Sequence, residues 1–102
     1  MLHCIATIEL QPGKRSAFLA EFAKLVPLVL AEAGCIEYGS AIDTPTPIAV
    51  QIPLRPDTVT VVEKWESLQH PRDHLAAPHM AAYRETVKDL VKGLSLQILG
   101  PA

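Results

Sequence analysis

Apolar residues recur at every second position over residues 2–10, 35–43, 58–65 and 94–99. The gaps between the first two and the last two of these segments carry helical spacing instead. Alternation marks strands and the 3.6-residue period marks amphipathic helices. The order strand–helix–strand–strand–helix–strand follows, an α+β chain built from two similar halves. Two such halves close most simply into one four-stranded antiparallel sheet. Right-handed crossovers put both helices on the same face of it.

In the first strand Leu2, Cys4, Ala6, Ile8 and Leu10 share one face, and Pro12-Gly13 ends it. The first helix is expected over Lys14 to Ala33, with Phe18, Phe22, Leu25, Val29 and Glu32 on one stripe. Pro27 removes a backbone donor, so a kink or break is expected near Ala23 to Pro27, with Gly34 as the C-cap. In the second strand Ile36, Tyr38, Ser40 and Ile42 are expected on one face. The prolines at 45, 47, 53 and 56 exclude a helix or a central strand between Thr44 and Pro56, leaving at most a short edge ribbon at Ile48 to Ile52. Thr58 to Trp65 is the clearest strand, with Val59, Val61, Glu63 and Trp65 on one face. Ser67 suits an N-cap, a helical turn follows to about Leu75, and Pro78 suits the first turn of the next helix. Tyr83, Val87, Leu90 and Val91 are expected as its buried stripe, with Gly93 stopping it.

All four strands carry apolar residues on both faces: Ile5 against Ala6 and Ile8, Val61 against Val62, Leu96 against Leu99. A bare apolar sheet face is an aggregation liability, and pairing two sheets face to face removes it. The expected assembly is a homodimer, a dimeric α+β barrel with its helices outside. A chain of 102 residues is one domain, 1–102. A net charge of −2 without a basic block argues against nucleic acid, and no apolar run is long enough to span a membrane. Without an export signal, Cys4 and Cys35 read as free thiols and the compartment as cytoplasmic.

The chemistry-bearing residues gather after the third strand. Glu63 lies on an otherwise apolar strand face, where a carboxylate is either a bonded structural group or a cleft-wall group with a raised pKa. Trp65, the only tryptophan, is a core plug or the wall for a flat aromatic ligand. His74 follows in the next helical turn, where it leans over the same cleft mouth. His70 and His74 stand at i, i+4, and with Asp73 or Glu63 they are a weak metal pattern; no metal is assigned. No nucleophile elbow, phosphate loop or redox CxxC is present, so catalysis has to rest on acid–base groups, positioning and desolvation.

Three blocks together resemble the antibiotic biosynthesis monooxygenase (ABM) domains, which include quinol monooxygenases. They are the first strand ending in Pro12-Gly13-Lys14, the run from Phe18 to Glu32-Ala33-Gly34-Cys35-Ile36-Glu37-Tyr38, and Glu63-Lys64-Trp65-Glu66-Ser67 with His74 and Pro78-His79. The resemblance implies a ferredoxin-like fold, a dimeric barrel, and a cleft between sheet and helices in each subunit. It also implies oxygenation of quinols or polycyclic phenols by molecular oxygen with no cofactor. Three departures stand out: Ala33 replaces a usual proline, the loop from Asp43 to Asp57 is longer and richer in proline, and Thr7 stands nearest to where heme-degrading members carry asparagine.

The expected function is therefore a cofactor-independent monooxygenase for a small aromatic substrate. His74 and Glu63 are the catalytic candidates, and Trp65, Tyr38, His79, Tyr83 and Arg84 the substrate-binding ones; His3 is a reserve on the first strand. Imidazole titrates near neutral pH, which suits a base for a phenolic proton. Two rivals stand beside this reading. One is a small-metabolite isomerase of the same fold, which for a phosphorylated ligand needs cations that the sequence shows near His74 only at Arg72. The other is a non-enzymatic ligand-binding dimer.

Overall fold

The computed structural model describes all 102 residues. β1 (Leu2–Leu10) is followed by α1 (Arg15–Leu30), β2 (Cys35–Ala41), β3 (Thr58–Trp65), α2 (Gln69–Ala76), α3 (Pro78–Val87) and β4 (Val91–Leu99). The strands form one antiparallel sheet in the order β2-β3-β1-β4, the ferredoxin-like arrangement. Cys4, Ala6, Ile8 and Leu10 of β1 and Val59, Val61 and Trp65 of β3 meet Phe18, Phe22, Leu25 and Val29 of α1 and Met80 and Val87 of α3 in one core. The opposite sheet face, including Ile5 and Val62, is covered by no element of the chain and is half-buried to exposed.

Several local expectations are corrected. Pro27 does not break α1, which continues to Leu30. Pro27 and Ala23, whose carbonyl the missing N–H would have met, both lie on the exposed side, where water can take that carbonyl. The helix ends at Ala31 rather than at Gly34; Gly34 sits three residues on, at φ 77°, in the turn that feeds β2. β2 has a register shift between Cys35 and Glu37, so Ile36 turns outward and only Tyr38 of its expected face is buried. Ser67 caps nothing, because α2 starts at Gln69 behind Leu68. α3 ends at Val87; Val91 opens β4, and Gly93 lies within that strand opposite Glu9.

Residues 42–57 leave the sheet, as the prolines require, and Ile48 to Ile52 form no ribbon. The base of this loop is closed by Arg55, whose Nε and Nη2 donate to Asp43 at 2.8 and 2.9 Å while its backbone N–H donates to the same carboxylate at 2.9 Å. The Arg55 guanidinium lowers the Asp43 carboxyl to about 2. Asp57 then ties the loop to the β1 turn, accepting from Gly13 N at 3.0 Å and Leu10 N at 2.7 Å.

Gly13 and Gly34 share the same positive φ but not the same surroundings. A Cβ at Gly13 meets nothing within 4 Å, whereas one at Gly34 falls 2.2 Å from the His70 ring. Left-handed backbone costs an L-residue about 1–2 kcal/mol. Gly13→Ala should lower Tm by roughly 5–10 °C on that basis. Gly34→Ala should lower it further, because His70 must also swing away. Thermal unfolding of the two variants measures the difference, and equal losses would contradict the contact.

Candidate active site

A cavity of about 380 Å³ lies between the sheet and helices α2 and α3. Its walls are apolar, from Ala6, Ile8 and Val61 on the sheet to Leu75, Met80 and Val87 on the helices. The helices leave β4 partly uncovered, and Leu94, Leu96 and Ile98 line the cavity while still exposed. Its polar groups are few: Glu63 and Tyr38 on the sheet, His74 on α2, Tyr83 on α3, and the exposed basic residues Arg72, Arg84 and Lys88.

β3 carries Glu63 to the middle of the sheet, between Cys4 of β1 and Tyr38 of β2. It is 7% exposed, and its Oε1 accepts a hydrogen bond from Trp65 Nε1 at 3.0 Å. Burial raises its pKa, partly offset by the Trp65 bond and by His74. The same burial, with Glu63 nearby, pushes the Tyr38 hydroxyl far up, and burial alone raises Tyr83. Both phenols therefore stay protonated and can donate. Neither hydroxyl is bonded within the chain, and no buried side-chain polar atom lacks a partner, so both remain accessible beside the cavity they line.

His74 is 2% exposed. Its ring lies edge-on to Tyr38 at 5.4 Å and tilted on Trp65 at 5.1 Å. His74 Nδ1 is 2.8 Å from Glu32 Oε2, and His79 Nε2 is 2.7 Å from the same oxygen. A carboxylate only accepts, so the hydrogen-bond network assigns a proton to each of those nitrogens. A neutral His74 then has a bare Nε2. That atom has no partner in the chain, and His74 lines the cavity. A carboxylate that fixes an imidazole's tautomer in this way makes the far nitrogen a base.

The structure thus brings His74, Glu63, Tyr38, Tyr83 and Arg84 around one cavity. It does not bring Trp65 or His79 to the wall. Trp65 is fully buried behind Glu63 and His74, so its ring is a plug that holds Glu63, not a surface on which a ligand stacks. His79 is bonded to Glu32 on the outer side. His3 pairs with Lys64 on the far face of the sheet. The weighed His70–His74 metal pair does not form either: His70 Nε2 faces Glu66 at 3.8 Å, and Asp73 accepts from Gln69. The donors that do converge are Glu32, His74 and His79, within 4.8 Å of one another. Their ring N–H groups satisfy the carboxylate directly, so a cation would have to displace both protons.

Glu32 is the residue that sequence reasoning missed. Its signal was an acidic side chain continuing the apolar stripe of α1, the same anomaly that singled out Glu63 on β3. The turn after α1 aims it at α2 and α3, a placement no local pattern encodes.

The fold and this site define a class, and the chain belongs to the antibiotic biosynthesis monooxygenase family, whose sequence profile matches residues 1–86. It is 43% identical over 103 residues to the probable quinol monooxygenase YgiN of Escherichia coli K12, covering 99% of this chain and 98% of that protein. Among solved structures it resembles PA3566 of Pseudomonas aeruginosa (TM-score 0.79, 24% identity, 99% and 93% of the two chains). It also resembles a conserved protein of Methanosarcina mazei (TM-score 0.83, 20% identity, 99% and 92%). No helix is long and apolar enough to cross a membrane.

The raised Glu63 pKa has a consequence for stability. The folded state holds this proton more tightly than the unfolded chain, so stability falls as pH rises from the ordinary carboxyl range to the raised value. Glu63→Gln keeps an oxygen for Trp65 Nε1 but cannot ionise. Its Tm should match wild type at low pH and exceed it increasingly as pH rises through that window, before levelling. Thermal melts across pH check this, and a constant offset would contradict the assignment.

Proposed function

We propose that this chain is a cofactor-independent monooxygenase that uses molecular oxygen to hydroxylate a quinol or related electron-rich phenol. The observation that carries the reading is the His74 imidazole, held through Nδ1 by Glu32 at the wall of an apolar cavity. Family membership and the likeness to YgiN support it. A cavity of about 380 Å³ has room for a fused aromatic substrate.

His74 Nε2 takes a phenolic proton, and the imidazolium is stabilised through Nδ1–H by the Glu32 carboxylate. Tyr38 and Tyr83 orient the resulting oxyanion as donors, because both stay protonated. Glu63, whose burial favours its protonated form, donates a proton to the departing oxygen. The substrate anion itself reduces oxygen: one oxygen atom enters the ring, the other leaves as water with two protons, and the quinol ends as a hydroxylated quinone. The apolar walls exclude water and fix the approach.

The working unit in this proposal is a homodimer in the cytoplasm. Support comes from the uncovered sheet face with Ile5 and Val62, from the exposed Ile36 and Leu99, and from two free thiols. Sedimentation should find a stable dimer at micromolar concentration, burying roughly 2,000 Å² or more in total. A persistent monomer would contradict it. Oxygen uptake with a panel of quinols tests the activity. His74→Ala should lower turnover by about 10²-fold or more. Uptake by no quinol, or full turnover in that variant, would overturn the reading.

A further inference from the structure

The cavity wall carries charge that the chemistry at His74 does not use. On and just before α2, Leu68, Pro71, Arg72 and Leu75 stand at i, i+3, i+4 and i+7, and all line the cavity. On α3, Met80, Tyr83, Arg84 and Val87 repeat the same spacing and also line it. These are the stripes by which each helix faces the sheet, and in both the i+4 position is an arginine where the pattern calls for an apolar residue.

Neither arginine is neutralised. Lys24, Arg55, Lys64 and Lys88 each have a carboxylate within 4 Å, but Arg72 and Arg84 have none. Lys88 also lines the cavity, yet Glu85 holds it at 2.6 Å. Arg84 Nη2 donates to the Leu75 carbonyl at 3.1 Å, which fixes its guanidinium at the end of α2, beside the residue that follows His74. The one carboxylate on the cavity wall is Glu63, whose burial favours its neutral form. The cavity of a chain with net charge −2 is thus lined by two exposed cations that no carboxylate pairs. A low-dielectric cleft focuses their field, and guanidinium groups offer forked donors that match a carboxylate or phosphate.

We propose that Arg72 and Arg84 form an anion subsite, and that the substrate is a hydroxylated aromatic bearing an oxyacid group in addition to its reacting hydroxyl. The apolar walls take the rings, His74 meets the hydroxyl, and the two guanidinium groups meet the acid. The assignment of the hydroxyl rests on the proposed function; the anion subsite rests on the two arginines alone.

Calorimetric binding under anaerobic conditions separates the two. The probes are 6-hydroxy-2-naphthoate, the neutral 2-naphthol, and 2-naphthyl phosphate to distinguish carboxylate from phosphate. An acid should bind wild type about tenfold or more tightly than 2-naphthol, the scale of one charge-assisted pair. That advantage should shrink with added salt and vanish in Arg72→Gln/Arg84→Gln, while Arg72→Lys/Arg84→Lys keeps part of it. Both side chains are exposed, so these variants should fold. Binding of 2-naphthol should change less than twofold. Equal affinity for acid and naphthol, no binding of any probe, or an advantage that survives the Gln pair would overturn the subsite. If the acids bind as expected but no quinol consumes oxygen, the subsite stands and the oxygenase reading fails. If neutral quinols are oxidised and the acids gain nothing, the outcome is the reverse.

Discussion

One carboxylate oxygen holds the site together. Glu32 Oε2 accepts from His74 on α2 and from His79 on α3, and so pins both helices to the turn after α1. Satisfying two imidazole donors with one carboxylate offsets the desolvation of a His74 that is almost wholly buried. In the proposed mechanism the same bond decides the chemistry, since a ring whose Nδ1–H is engaged has a bare nitrogen on the other side. Structure and reactivity share this contact, and its loss should affect both helix docking and proton transfer.

Around that contact the apolar and polar parts divide the work. Trp65 fills the space behind β3 and binds Glu63, so a buried carboxyl has a partner without being drawn into an ion pair. Tyr38 stacks on Phe22 at 5.4 Å and meets His74 edge-on, which carries the packing of α1 through to His74. The apolar lining and the exposed arginines Arg72 and Arg84 make the cavity amphiphilic. A flat, amphiphilic ligand matches that character.

Much of the fold was legible because periodicity depends on burial, and burial is written residue by residue. The alternation of Cys4, Ala6 and Ile8, the stripe of Phe18, Phe22, Leu25 and Val29, and the core face of β3 are all as expected. What was hidden depended on geometry between elements. The shift that turns Ile36 outward comes from pairing with β3, and the start of β4 at Val91 comes from a register shift between Glu9 and Leu10 on β1. The site was legible where a polar residue broke an apolar pattern, as at Glu63. It was misread where a residue type suggested a role its depth forbids: Trp65 suits an aromatic ligand by chemistry but is sealed off by its neighbours. The cations were hidden because Arg72 and Arg84 lie on different helices and line one cavity only in the folded chain.

The claim on which the mechanism turns is the protonation pattern of one ring, and nitrogen-15 NMR of His74 near pH 8 reads it directly. The account predicts a proton on Nδ1 and none on Nε2. It further predicts that Glu32→Ala abolishes this preference while the sheet's amide resonances stay in place. A His74 carrying its proton on Nε2, or a tautomer unchanged by removing Glu32, would contradict it.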